Sequence, residues 1–149
     1  MRDQINDALK LAMKARDSLK TSTLRLVNAA IKDRDIAARG NGGRDLVGDE
    51  EILEILSKMV KQRRESFSIY KEAGRLDLSD QEAKEIDIIT EFLPKQMSDE
   101  EIKAACEATI AKINAEGLKD MGKIMGALKA KYTGQMDFGK ASKMIRDIL

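Results

Sequence analysis

The segment SDQEAKEIDIITEFLPKQMSDEE, residues 79–101, decides how this chain folds. It holds two serines placed three residues before a glutamate, Ser79-Asp80-Gln81-Glu82 and Ser98-Asp99-Glu100-Glu101. That spacing predicts capping boxes, in which each serine satisfies free amides of a helix's first turn. Apolar residues follow each box at helical spacing: Ile86, Ile89 and Leu93, then Ile102, Ala105, Cys106, Ile110 and Ile113. Between them stands Pro94, the one proline of the chain, which lacks an amide hydrogen and restricts its predecessor. The segment therefore predicts one helix ending, a stiff connection and a new helix. Pro94 is the expected boundary between a domain over 1–94 and a domain over 95–149.

Working outward, apolar residues recur at three- and four-residue steps on both sides. Ile5, Ala8, Leu9, Ala12 and Met13 give one stripe, and Leu24, Val27, Ala30 and Ile31 another. Between them a break is expected over residues 17–23. Gly40-Asn41-Gly42-Gly43 predicts a loop, and Asp49, Glu50 and Glu51 suit the first turn of a long third helix. The core side of that helix reads Ile52, Ile55, Leu56, Met59, Phe67 and Tyr70, with Gly74 at its end. After Pro94, Gly117 is expected to close a fifth helix, and shorter helices are expected over 120–132 and 137–149. No sustained alternation of β-branched residues interrupts this pattern. The fold class is all-α: an N-terminal four-helix unit followed by a small three-helix tail domain.

Composition narrows the chemistry. The 149 residues include no histidine, no tryptophan and a single cysteine, so imidazole acid–base catalysis, disulfides within the chain and multi-cysteine metal sites are excluded. Two Tyr and three Phe are too few for base-stacking platforms. Cys106, lacking a histidine to deprotonate it, reads as a small apolar filler, and Glu82, Glu85, Asp87 and Glu91 read as an exposed face. No catalytic residue, metal site or cofactor is expected. No apolar run reaches the length of a membrane span and no signal or transit peptide is apparent, which makes the cytoplasm the expected location.

Gly117-Leu118-Lys119-Asp120-Met121-Gly122-Lys123 has the G-x-x-x-x-G-K spacing of a phosphate loop. Ile124 stands where the magnesium-binding hydroxyl belongs and no strand precedes it, so Gly122 and Gly126 are read as packing positions. Arg39 and Arg44 beside Gly40 to Gly43 flank what reads as a plain interhelix loop. The basic clusters are the stronger features. Net charge is only +1, with 27 basic and 26 acidic residues, yet the last 33 residues carry seven basic groups against three acidic. Lys119, Lys123, Lys129, Lys131, Lys140 and Lys143 make the tail a candidate for contacts to a nucleic-acid backbone. Lys58, Lys61 and Arg64 step by three along the third helix and form a second candidate within a cluster reaching Lys71 and Arg75. The competing reading is a solvated face paired internally, Glu54 with Lys58 and Lys61 with Glu65.

Several segments together resemble the YqeY family: Leu24-Arg25-Leu26-Val27-Asn28-Ala29-Ala30-Ile31-Lys32, Lys58-Met59-Val60-Lys61-Gln62-Arg63-Arg64-Glu65-Ser66, Tyr70, Ala73-Gly74-Arg75 with Asp77-Leu78, and Glu82 with Glu85-Ile86. Phe92-Leu93-Pro94-Lys95-Gln96-Met97-Ser98 and Asp120-Met121-Gly122-Lys123-Ile124-Met125-Gly126 complete the resemblance; Leu118 departs from the alanine expected there. That family shares its C-terminal region with the tail of the GatB subunit of tRNA-dependent amidotransferases. The resemblance implies a four-helix unit joined to a three-helix tail, and a tail that engages tRNA. By position, the resemblance makes Lys119, Lys123, Lys129 and Lys131 candidates for backbone contacts. An aminoacyl-tRNA synthetase or an amidotransferase is the implied protein partner. The resemblance also brings a carbon–nitrogen ligase label with glutamine as amido-N donor. This chain lacks the kinase-like and amidase parts of that enzyme, so the label does not carry over as an activity of its own. The leading expectation is a non-catalytic tRNA-associated binding module. The alternatives are a component of misacylated-tRNA amidation and a protein–protein adaptor without nucleic acid.

Overall fold

The computed structural model describes residues 1–40 and 46–149. Among them are seven α-helices, one 3-10 turn and no strand: α1 Arg2–Lys14, α2 Ser18–Gly40, α3 Asp49–Glu72, α4 Leu76–Thr90, α5 Asp99–Ile113, the turn Leu118–Asp120, α6 Met121–Tyr132 and α7 Phe138–Ile148. The glycine-rich loop read at residues 41–43, and Arg44 beside it, lie outside the described residues. No helix among the described residues is long and apolar enough to cross a membrane.

Two compact units divide the chain, Met1–Pro94 and Lys95–Leu149. In the first, Ile5 of α1, Leu24, Val27 and Ile31 of α2, Ile52, Leu56 and Val60 of α3 and Ile89 of α4 form one apolar core. In the second, Ile102 and Cys106 of α5, Ile124 and Leu128 of α6 and Ala141 and Ile145 of α7 form another, with Met136 between α6 and α7. Each fully buried aliphatic side chain of these sets contributes about 1.5–3 kcal/mol.

Three helices end in the same way. Arg16 (φ 56°), Gly74 (φ 75°) and Asn114 (φ 57°) adopt the left-handed conformation just past α1, α3 and α5. In each case the following amide returns to a carbonyl five residues back: Asp17 to Ala12 at 3.0 Å, Arg75 to Tyr70 at 2.8 Å and Ala115 to Ile110 at 3.1 Å. This is the geometry by which a helix satisfies its last carbonyls while reversing the chain. It corrects three expectations. The break between α1 and α2 is confined to residues 15–17, because Asp17 accepts from the Lys20 amide at 3.1 Å and restarts the helix at once. The turn at Gly74 is equally tight, so α4 begins at Leu76 and Ser79 is not its cap. Ser79 is buried inside the helix, its hydroxyl donating to the Leu76 carbonyl at 3.1 Å. Asn114, not Gly117, closes α5; Gly117 is extended and begins the 3-10 turn. The second serine does cap its helix, Ser98 Oγ accepting from the Glu101 amide at 3.2 Å and donating to Glu101 Oε1 at 3.3 Å.

Asp35 closes the first unit. It is 4% exposed, near the end of α2, and both of its oxygens are taken. Arg2 donates to Oδ2 and Oδ1 at 3.0 and 3.1 Å, and the Val47 amide donates to Oδ1 at 2.8 Å. Arg2 also donates to the Val47 carbonyl at 3.2 Å. The Arg2 bond first, then the Val47 bond, holds the Asp35 carboxyl below its ordinary pKa despite the opposing effect of burial. A carboxylate with a lowered folded-state pKa adds stability that is present above its unfolded value, about 3.9, and fades as pH falls through the folded value. Thermal melts of wild type below about pH 4 should therefore show a loss that Asp35→Asn lacks, while the variant is less stable at neutral pH. Parallel acid limbs for the two proteins would show that Asp35 does not couple folding to pH.

Candidate nucleic-acid interface

In α6 the sequence separates apolar from cationic residues. Ile124 and Leu128, four apart, are buried in the core of the second unit. At about 100° per residue, Gly122, Gly126 and Ala130 then fall on the opposite side, with Lys123 and Lys129 at the two edges of that outward arc. All five are exposed. A Cβ built on Gly122 or Gly126 meets nothing within 4 Å, which corrects the packing role expected for these glycines. Within the Lys95–Leu149 unit, no described element comes close enough to need them small. The outer surface of α6 is a strip of bare backbone bordered by two ammonium groups.

The candidate lysines of the tail separate into two groups. Lys119 lies 3.8 Å from Glu116, Lys140 lies 3.0 Å from Asp99, and Lys131 stands 5.4 Å from the Tyr132 ring centroid. Lys123, Lys129 and Lys143 make no ion pair among the described residues, and Lys143 projects from α7 on the side away from buried Ala141 and Ile145. The two exposed pairs are worth little and leave their lysines available. Structure thus brings Lys123 and Lys129 onto one face, whereas Lys131 falls outside that arc and Lys140 and Lys143 belong to α7. The loop resembling a phosphate-binding turn has another use: Asp120 accepts from the Glu116 amide at 3.0 Å, tying the 3-10 turn to the end of α5.

On α3, Lys58, Lys61 and Arg64 are exposed, and the neutralising pairs are not formed. Glu54 is 3.9 Å from Arg34 of α2, and neither Lys58 nor Lys61 has an ion-pair partner among the described residues. Helical geometry places Lys61, Arg64 and Lys71 within an arc of about 80°, whereas Lys58 stands about 60° beyond Lys61. Lys58 instead borders a shallow groove of about 380 Å³ between α2 and α3, with Arg34, Ala37, Met59 and Gln62. Lys71 replaces Lys58 in the stripe; the three-then-seven spacing from Lys61 was the available signal.

Of the carboxylates expected on an exposed face, Asp87 and Glu91 are exposed, whereas Glu82 is half-buried and Glu85 is not on that face. Glu85 is buried beside Arg63 of α3, with Arg63 Nε 3.9 Å from Glu85 Oε2. Burial, then the charge of Glu85, raises the pKa of Glu82. The Arg63 guanidinium also donates to the Met59 carbonyl of its own helix at 3.2 Å. This grouping joins α3 to α4. Cys106 is wholly buried, its thiol pKa raised by burial and then by Glu107, so it is poorly suited to act as a nucleophile.

The family described as Yqey-like protein matches residues 2–149. Among curated proteins, the chain is similar to "Altered inheritance of mitochondria protein 41, mitochondrial" of Clavispora lusitaniae, 30% identical over 145 residues, covering 95% of this chain and 80% of that protein. Proteins of the same name from Vanderwaltozyma polyspora and Lachancea thermotolerans are 37% and 38% identical over 86 residues. Those matches cover 57% of this chain and 44% and 43% of the relatives, so they span under half of each relative's length. The names correct the cytoplasmic expectation: these relatives are designated mitochondrial, and a cytoplasmic location does not stand.

Gly126→Ala separates the two readings of the α6 glycines by stability alone. With open space at the Cβ, alanine should stabilise the helix by about 0.5–1 kcal/mol, visible as a raised denaturation midpoint in urea. A lowered midpoint would restore the packing role.

Proposed function

We propose a function for this chain, which belongs to the Yqey-like protein family: it is a non-catalytic helical module that holds tRNA by its sugar–phosphate backbone, through the Lys95–Leu149 unit. The observation that carries this reading is the outer face of α6, where Lys123 and Lys129 flank exposed Gly122, Gly126 and Ala130. Bare glycine backbone lets a polyanion approach the helix axis closely, and the lysines meet phosphates on either side. Such contact is set by charge and shape, so it positions an RNA without reading its bases. The resemblance of this unit to an amidotransferase tail supports tRNA as the RNA concerned. Asp35 is paired with Arg2 and Cys106 is packed in a core, so the reading rests on contact rather than on bond making.

Backbone contact through lysines releases counterions, which makes affinity fall steeply with salt. Anisotropy titrations of the full chain with deacylated tRNA across a salt series should give a linear decline of log affinity with log salt. The double variant Lys123→Ala with Lys129→Ala should lower that slope by about 2 while the circular dichroism spectrum is unchanged. Wild type that binds no tRNA, or a variant with the wild-type slope, defeats the proposal.

A further inference from the structure

The distal part of the α3–α4 hairpin contributes little to the core of its own unit. The apolar core draws on α3 only as far as Val60 and on α4 from Ile86 onward. Between residues 61 and 85 no apolar side chain is fully buried; the buried residues there are Ser79 and Glu85. Ile69 and Leu76, on either side of the Gly74 turn, are 64% and 61% exposed. Along this arm, about 18 Å of helix beyond Val60, Phe67 and Tyr70 are half-buried and Arg63 stands against Glu85. One side of it is left uncovered.

That side carries Lys61, Arg64 and Lys71, all exposed and without ion-pair partners among the described residues. Lys71 lies 5.8 Å from the Phe67 ring centroid, and Arg75 continues the line past the turn, 3.6 Å from Asp77. Glu65 and Glu72 occupy the adjoining side of α3. Asp77, beside Arg75, and Asp80 also line a cavity with Ser18 and Ser22 of α2. The three cations span about 15 Å along the helix, a length over which one duplex strand presents about four phosphates.

We infer that this arm is a second backbone-binding surface, so that the chain grips one RNA with two separately folded units. The inference rests on the proposed tRNA reading of the second unit and extends it to the first. Charge complementarity selects the occupant: a phosphate backbone matches a row of cations at helical spacing. Two linked contacts give an affinity well above either alone, with no fixed arrangement of the units required.

The experiment uses the full chain and deacylated tRNA, with three variants read by affinity and salt slope. Lys61→Ala, Arg64→Ala and Lys71→Ala together should reduce the slope by about 2–3 and weaken binding at least about tenfold. The combination with Lys123→Ala and Lys129→Ala should bind more weakly than either set alone. Lys61→Arg with Lys71→Arg should retain wild-type affinity, which separates loss of charge from loss of fold. If the arm variant binds as wild type while the α6 variant weakens, the arm is a solvated face and the inference falls with the tRNA reading intact. If only the arm variant weakens, the reading of the second unit falls, and two-unit binding falls with it. If the wild type shows no salt-sensitive binding, both are overturned.

Discussion

A buried carboxylate organises the first unit. Asp35 receives Arg2 from the beginning of the chain and the Val47 amide from the approach to α3, so three separate stretches meet at one side chain. A charge in that position is tolerated because its lone pairs are occupied by a forked guanidinium and a backbone amide. With α1, the end of α2 and the start of α3 fixed there, the apolar faces of Ile5, Leu24, Ile31, Ile52 and Leu56 converge. The hairpin of α3 and α4 then extends past the end of that core.

The candidate surfaces follow from the same economy of apolar residues. α6 is short and fully buries only Ile124 and Leu128, which leaves its opposite side free. Glycines are costly in a helix interior, about 1 kcal/mol each relative to alanine. Two of them on an exposed face, with open space at both Cβ positions, invite an explanation outside the chain's own packing. The arm presents a related case, since residues 61–72 of α3 hold no fully buried side chain and carry a cationic stripe. In both places the backbone is regular helix, so the spacing of the cations is set by helical geometry and not by loop conformation.

The helices were legible because their signals are local. Apolar steps of three and four located all seven, and Ser98 capped α5 as its spacing implied. Ser79 shows the limit: its pattern matches a capping box, but the left-handed Gly74 had already set the start of α4 three residues earlier. Asn114 was overlooked for a similar reason, because the nearby Gly117 is the residue type expected at a helix end. The burial of Glu85 depends on Arg63, 22 positions away and on another helix, a pairing that one-dimensional spacing does not encode. The α6 face was half readable. Its lysines stood out by charge, whereas the role of Gly122 and Gly126 turned on what lies opposite them, and no described residue of their own unit does.

Lysine acylation footprinting of the full chain, with and without deacylated tRNA, tests the central claim most directly. Mass spectrometry reads each lysine separately, and Lys103 and Lys112, exposed on α5, serve as internal controls. The expected result is protection of Lys123 and Lys129 by tRNA while Lys103 and Lys112 keep their reactivity. Unchanged reactivity at Lys123 and Lys129, or equal protection of all four, would contradict a backbone-binding face on α6.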